Sequence, residues 1–520
     1  MLNTIKTHWL SFLLIALALL AQVFLITRSF SFLLTNVLPD DAFYYFQIAH
    51  NIALGLGSTF DGVNATNGYH PLWMVILVGI YKVWGSGAVG DMLPIHIALG
   101  ISIALNALTG LIVWRILTRF SSNQWLVAAG VFVWSLNPFM LFETINGLET
   151  SLSLFFFAAF FLLAVRLQEG RVPQNIVSAL VLGTVGGLLV LARLDLAIYF
   201  AAWWVWFVLR DWKSNWVFAV QTGVVAALVA SPWFLWNYSH FHMLFTSASR
   251  ATDLVNHTLI YQDNGTSIVQ TIKAVFYSLY NGGELILGRT GAPVLALILL
   301  GLGVAYAAGK RLRLPRLKEL SVEYALLVGF IVLFLANVAV RWGGRPWYFM
   351  SLELFIAIGA VLGLQEFFRD ISYKRMYAVG LIGLTLFFFA VSWSKELRGQ
   401  YSNQTEMYVM AQWMNEHLHK DTVVGAFNAG VEGYFSNAKV VNLDGLVNYN
   451  AYEAMRIHKL YSYIRDSKIA YISDWPISLN YRYKSFLDNF DAQMALSVVH
   501  AEGSDINGRF AGGLTLYKLK

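Results

Sequence analysis

The sequence predicts a polytopic α-helical membrane protein, with about eleven transmembrane helices, interfacial helices between them, and a C-terminal α/β domain outside the membrane. Three observations carry this. Of 520 residues, 57% are hydrophobic and 13% charged, whereas soluble domains carry about a quarter charged residues. Apolar runs long enough to cross about 30 Å of hydrocarbon recur through the first three quarters of the chain. The first run ends in Asp40-Asp41, and ionisable groups at such places mark function.

Composition narrows the function classes. The 18 Trp and 25 Tyr suit side chains that anchor at a membrane interface. The absence of cysteine excludes disulfides, iron–sulfur clusters and thiol catalysis. The net charge of +6 comes largely from short basic loops, so it reads as topology and predicts no nucleic-acid partner.

The spans fall near 9–28, 94–114, 124–141, 150–166, 176–209, 215–235, 291–308, 322–340, 346–364 and 376–393. Residues 9–27 could pass for a signal peptide, but no convincing small-residue cleavage site precedes Asp40, so an uncleaved first span is expected. The run 176–209 is too long for one helix. Arg193-Leu194-Asp195 interrupts it, which predicts a hairpin of two spans and completes the eleven.

Topology turns on the short apolar stretch 72–84. Lys and Arg concentrate in cytoplasmic loops, here at 115/119, 166/171, 210/213, 310–318 and 369–375. All five clusters share one side only if 72–84 lies in the outer interface or re-enters. Asp40-Asp41, the 142–149 turn, Arg193–Asp195, the 236–290 loop, Arg341–Arg345 and everything after about 394 are then outside. Residues 395–520 change character, with strands expected at 422–427, 439–443, 469–472 and 514–519 and an amphipathic helix at 405–418. The expected division is therefore a membrane domain, 1–394, and a soluble α/β domain, 395–520.

The loop 29–93 is rich in glycine and polar residues, and 43–54 shows the spacing of an interfacial helix lying on the membrane. A carboxylate here could act as general base on an acceptor hydroxyl. Asp40 could equally cap that helix. Glu149 follows Glu143 at the outer end of a span, where acids also favour helix starts.

Several segments together resemble GT-C glycosyltransferases, polytopic enzymes using polyprenyl-phosphate sugars that include protein O-mannosyltransferases, aminoarabinose transferases and mycobacterial arabinofuranosyltransferases. Asp40-Asp41-Ala42-Phe43-Tyr44-Tyr45 resembles their acidic signature after the first span. Asn67-Gly68-Tyr69-His70-Pro71-Leu72-Trp73 is similar to the end of their first external loop, and Asn146-Gly147-Leu148-Glu149-Thr150-Ser151-Leu152 to the acidic motif of the second. Gly430–Ser436 and Val441–Leu446 resemble a C-terminal segment of bacterial members. The aspartate pair is closer to the arabinofuranosyltransferase pattern than to the Asp-Glu pair of the mannosyltransferases, which leaves the sugar open.

The resemblance implies Asp40 as general base, Asp41 as a residue positioning the acceptor or helping to hold a divalent cation (Mg2+ or Mn2+), and Glu149 as the second-loop acid and further metal ligand. A single base with direct displacement implies inversion at the anomeric carbon. The donor phosphate needs cations, and arginine matches it with a rigid fork of donors. Arg345 and Arg250 are the preferred ligands, followed by His70, Arg193 and Arg341. Each arginine could instead snorkel at the interface, and Arg193 could pair with Asp195 structurally.

The expected activity is transfer of a single sugar, hexosyl or pentosyl, from a polyprenyl-phosphate donor to a hydroxyl of a glycan, lipid or protein acceptor. The expected place is a bacterial or archaeal cell membrane, in contact with membrane lipid, with the active site and C-terminal domain extracytoplasmic. The 236–290 loop is expected to act as a lid. The rival reading is a transporter or flippase of lipid-linked sugars; it is opposed by the scarcity of charge within the spans and by the lack of a detectable inverted repeat.

Overall fold

The computed structural model describes residues 7–262, 321–339, 345–367, 396–503 and 513–520, with scattered positions between 268 and 280 and at 390, 393 and 394. The expected span 291–308 and the basic cluster 310–318 lie outside the described residues, as does nearly all of 376–393.

The chain opens with α1 (Trp9–Ile26), a short helical piece and a π turn (Leu33–Val37), then α2 (Asp40–Ala53) and α3 (Pro71–Trp84). The bundle continues through α4 (Met92–Leu117), α5 (Gln124–Ser135), α6 (Pro138–Glu143), α7 (Thr150–Gln168), α8 (Ile176–Ala192) and α9 (Ala197–Arg210). Beyond these come α10 (Trp212–Phe241), α11 (Ser247–Gln262), α12 (Ser321–Ala339) and α13 (Leu352–Phe367). Among the described residues, α1, α4, α7 and α10 are long and apolar enough to cross a membrane by themselves, and α3, α5, α8, α12 and α13 are shorter apolar helices.

The expected hairpin at 176–209 is present: α8 ends at Ala192, Leu194–Leu196 forms one 3-10 turn, and α9 follows. The run 124–141 is not one continuous helix. Pro138 has no amide hydrogen to donate and disfavours a helical residue before it, so α5 stops at Ser135. Asn137 then caps α6, its Oδ1 accepting from the Phe139 amide at 3.1 Å.

Helix α3 covers the short apolar stretch 72–84. Its 14 residues rise about 21 Å at 1.5 Å each, short of the bilayer. The chain before it meets the C-terminal domain, where the Tyr449 amide donates to Ala65 O at 3.3 Å. The chain after it meets the same domain, where the Gly90 amide donates to Tyr434 O at 3.0 Å. Both flanks of α3 therefore meet the C-terminal domain. On the opposite face three helix ends meet: Arg119 Nε pairs with Glu169 Oε1 at 2.7 Å, and its Nη1 contacts Glu323.

Helices α8 and α10 pack side by side because α8 presents small residues. A Cβ at Gly183 would stand 2.7 Å from Thr222 O, and one at Gly187 would stand 2.6 Å from Val229 Cβ. Close backbone approach of this kind is how helices associate where lipid offers no hydrophobic driving force.

The C-terminal domain begins with α14 (Gln404–His417) and alternates β1 (Val423–Ala426), α15 (Gly430–Phe435), β2 (Lys439–Asn442), α16 (Tyr449–Arg456), α17 (Leu460–Asp466) and β3 (Tyr471–Asp474), ending with β4 (Leu496–Glu502) and β5 (Leu514–Leu519). The sheet order is β2-β1-β3-β5-β4. Strands β2, β1 and β3 are parallel, and β5 pairs antiparallel with β3 and β4. The four expected strands are present within a residue or two. Strand β4 is the addition: Val498 and Val499 on it are exposed, so no buried face marks it in the sequence.

This domain is tied to the membrane helices. Gln404 Nε2 donates to Leu34 O at 2.6 Å and Leu38 O at 2.8 Å, satisfying carbonyls at the π turn. Asn36 Nδ2 donates to Glu396 O at 2.8 Å. Helix α2 does not simply lie on a membrane surface. Ala42, Phe43, Tyr44, Tyr45, Phe46 and Ile48 are all buried, because its aromatic faces fill the space between bundle and C-terminal domain.

Gly187→Leu should overpack the α8–α10 contact and lower stability by about 1–3 kcal/mol, whereas Val181→Leu, on an exposed face of α8, should be near neutral. Thermal melting of both variants in detergent checks this.

Candidate active site

Two carboxylates at a helix start are favoured by the helix dipole, yet the aspartates of α2 take different partners. Asp40 faces the C-terminal domain. Its Oδ1 accepts from the Val431 amide at 2.7 Å and its Oδ2 from the Gly430 amide at 3.3 Å. One turn on, the Tyr44 hydroxyl accepts from the Ala429 amide at 3.0 Å. A Cβ at Gly430 would stand 2.6 Å from Asp40 Oδ1, so glycine is what allows the approach. Burial pushes the Asp40 carboxyl up to about 7, against the pull of the two amides.

Asp41 does not share these amides, and its carboxylate makes no hydrogen bond among the described residues. Burial raises its carboxyl, the Arg345 guanidinium lowers it, Glu149 raises it and Arg482 lowers it. Its setting is thus defined by two arginines and one further acid.

Glu149 stands at the N-terminal boundary of α7 and is 3% exposed. Its Oε1 lies 3.3 Å from Arg193 Nη1 and 3.6 Å from His70 Nε2. Arg193, 2% exposed, also grips Asp195 with Nε at 3.0 Å and Nη2 at 2.7 Å, donates to Trp347 O at 3.3 Å and lies 4.5 Å from the Tyr348 ring centre. His70 Nδ1 accepts from the Leu194 amide at 3.3 Å, and burial lowers its pKa. Arg193 is thus ion-paired with Asp195 and Glu149, while Glu149 Oε2 is buried without a hydrogen-bond partner among the described residues.

The sequence motifs converge through backbone contacts. Trp73 Nε1 donates to Gly147 O at 2.9 Å. Gly147 adopts φ 79°, and a Cβ there would stand 2.9 Å from Phe46 Cζ. The 142–149 turn is thereby pressed onto α2. Glu143 is buried, with Asn146 Nδ2 donating to its Oε2 at 3.2 Å.

The remaining arginines separate. Arg345 is exposed and near Asp41. Arg250 is exposed on α11, 5.7 Å from the Phe245 ring centre, with its charge felt by Tyr452 of α16. Arg341 lies outside the described residues, as do Gly265 and Gly282-Gly283 of the expected lid. Among the described residues no three His, Asp or Glu side chains gather as they would around a metal ion. Asp41 and Glu149 stand close enough to feel one another's charge, and no third ligand joins them.

Three groups on the C-terminal domain were not identified as site residues from sequence. Asp444, 6% exposed, has its carboxyl pushed up to about 7 by burial and faces Arg482 and Asp41. Arg482 is exposed beside them. Glu432 is fully buried, with Ser473 Oγ donating to its Oε1 at 2.9 Å, and burial raises its carboxyl well above the ordinary value. The segment 441–446 held the signal for Asp444; nothing local marks Arg482.

Residues 395–506 match a family model described as a domain of unknown function, DUF8728. No curated protein matches the chain. The fold is similar to that of solved membrane proteins. The archaeal oligosaccharyltransferase AglB from Archaeoglobus fulgidus, in complex with an inhibitory peptide and a dolichol-phosphate, superposes with a TM-score of 0.58 at 14% identity, covering 95% of this chain and 73% of that one. ArnT from Cupriavidus metallidurans bound to undecaprenyl phosphate superposes with a TM-score of 0.60 at 12% identity, covering 97% of each chain. Its apo state gives 0.57 at 13% identity. At these identities the likeness shows the fold alone, a mostly helical one with several apolar helices long enough to cross a membrane.

Removing Arg193 should strand Glu149 and Asp195 without a cation. Arg193→Ala is expected to cost about 3–5 kcal/mol, read as a lowered melting temperature in detergent. Asp40→Ala should speed hydrogen exchange at the Gly430 and Val431 amides and cost about 1–3 kcal/mol, with Asp40→Asn milder because its amide oxygen still accepts.

Proposed function

We propose that this protein is a membrane glycosyltransferase that moves one sugar from a polyprenyl-phosphate donor to an acceptor hydroxyl, with Asp41 as the general base. The observation that carries the reading is the partner pattern of the aspartate pair. Asp40 is engaged by two amides of the C-terminal domain, while Asp41 stands between Arg345, Glu149 and Arg482. This exchanges the roles expected from sequence: Asp40 docks the C-terminal domain, and Asp41 takes the proton.

The chemistry follows from that setting. Asp41 accepts the acceptor's hydroxyl proton as the oxygen attacks the anomeric carbon. The bond from that carbon to the phosphate oxygen breaks, and its electron pair leaves with the phosphate. The products are a glycoside inverted at the anomeric carbon and a polyprenyl phosphate. Charge on the departing phosphate is met by Arg345; such electrostatic stabilisation and positioning are large terms in catalysis. Glu149, held by Arg193 and His70, fixes the second external turn against α2 and keeps a negative charge near Asp41. A divalent cation would bind through Asp41 and Glu149, neutralising phosphate charge; its requirement is tested by transfer assays with and without chelator.

Asp41→Asn should lower the transfer rate by about 100-fold or more, the usual worth of a positioned base, and Asp40→Asn should lower it less. Radiolabelled sugar transfer by the two purified variants decides the assignment; the reverse order would return the base role to Asp40. A transporter or flippase would instead keep its activity in Asp41→Asn. The acid limb of the rate–pH profile carries a second test. Burial raises the Asp41 carboxyl, so protonation removes the base above the pH at which a free aspartate, near ~4, would lose its charge. Activity should fall as pH drops, with its half-point above that value.

A further inference from the structure

Open α/β sheets bind ligands in the crevice outside the carboxyl ends of their parallel strands, where connections leave in opposite directions. In this sheet β1 has β2 on one side and β3 on the other, so that point lies between β1 and β3. The crevice there does not face open solvent alone: α2 is docked against it.

The edge is rigidly built. Asp474, the last residue of β3, is fully buried. Its Oδ2 accepts from the Phe427 and Asn428 amides at 2.8 and 3.2 Å, and its Oδ1 from the Trp475 amide at 2.8 Å and Ser478 Oγ at 2.5 Å. One carboxylate thus locks the loop after β1 to the loop after β3. The second loop ends in a π turn, Ser478–Arg482. The Arg482 guanidinium lies 5.4 Å from the Tyr483 ring centre, and Tyr483 stacks on Phe427 at 4.1 Å. Phe427 O in turn accepts from the Tyr44 hydroxyl of α2 at 3.4 Å. A chain of contacts, two ring contacts and one hydrogen bond, therefore links Arg482 to the helix that begins with Asp40-Asp41.

We propose that this crevice is the second half of the active site, and that Arg482 binds the donor's phosphate opposite Arg345. The site would then be complete only with the C-terminal domain docked. This rests on the glycosyltransferase reading above. The charge arrangement supports it. Arg193 is consumed by Asp195 and Glu149, and Arg250 is turned towards Phe245 and Tyr452. Arg482 is exposed, makes no ion pair among the described residues, and shares Asp41 with Arg345. A leaving phosphate and a base carboxylate repel when brought close, and a second guanidinium fork beyond the phosphate offsets that repulsion.

The test is binding to the purified full-length protein in detergent, using a polyprenyl phosphate, the matching polyprenol, and inorganic phosphate as separate probes. Arg482→Gln should weaken polyprenyl phosphate binding by about 10-fold or more, the loss expected for a charged hydrogen-bonding partner, with polyprenol binding unchanged. Arg482→Lys, a point charge without the fork, should fall between. Arg456→Gln, at an exposed arginine paired with Glu453, should bind as the native protein does. Matching melting curves keep a folding defect from imitating the result. The proposal is overturned if Arg482→Gln binds polyprenyl phosphate with native affinity. It is overturned as a donor site if Arg482→Gln loses inorganic phosphate alone. If the native protein does not prefer polyprenyl phosphate over polyprenol, the glycosyltransferase reading itself falls, a separate outcome from either.

Discussion

One contact organises this molecule: the Asp40 carboxylate held by the Gly430 and Val431 amides. It joins residues almost 400 positions apart, from two regions that share no strand or continuous helix. Because Asp40 and Asp41 are consecutive in a helix, their side chains diverge by about 100° around its axis. Fixing one towards the C-terminal domain therefore aims the other away from those amides, towards Arg345 and Glu149. A backbone clasp on one side sets the electrostatics on the other.

Around that clasp the structure repeats a single device, a polar side chain satisfying backbone groups of a distant segment. Gln404 meets the carbonyls at the π turn, Asn36 meets Glu396 O, Trp73 meets Gly147 O, and Asn67 Oδ1 meets the Ser247 amide at 2.8 Å. Each such bond is worth little by itself, about 1 kcal/mol net. Each is costly to leave unmade where it is buried, so the set specifies one docking geometry more than it adds stability. Aromatic packing of Phe43 against Tyr434 and Phe435 fills the space between.

Much of this was legible in the sequence because membrane helices obey length and composition rules that need no partner. The break at Arg193-Leu194-Asp195 announced a hairpin, and the stretch 72–84 announced a helix too short to be an ordinary span. Strands β1, β2, β3 and β5 were marked by compact apolar runs. What the sequence hid has a common cause: it depends on pairings across long separations. Asp40 reads as a base or a helix start until Gly430 is seen beside it. Arg193 reads as a phosphate ligand or a partner of Asp195, and its second ion pair, with Glu149, is visible only in the fold. Arg482 carries no local signal, since its neighbours become informative only when β1 and β3 are placed side by side. The break at Asn137-Pro138 was visible in principle, because proline after a capping residue is a helix start signal, and was outweighed by continuous hydrophobicity.

If Asp41 and Arg345 face a polyprenyl-phosphate sugar across one reaction centre, a cryo-electron microscopy structure of the protein with that donor bound will show it. The phosphate is expected within about 3–4 Å of the Arg345 guanidinium, as for a charge-assisted pair, and the anomeric carbon on the Asp41 side. A phosphate seated instead beside Arg250, with Asp41 remote from the sugar, would contradict it.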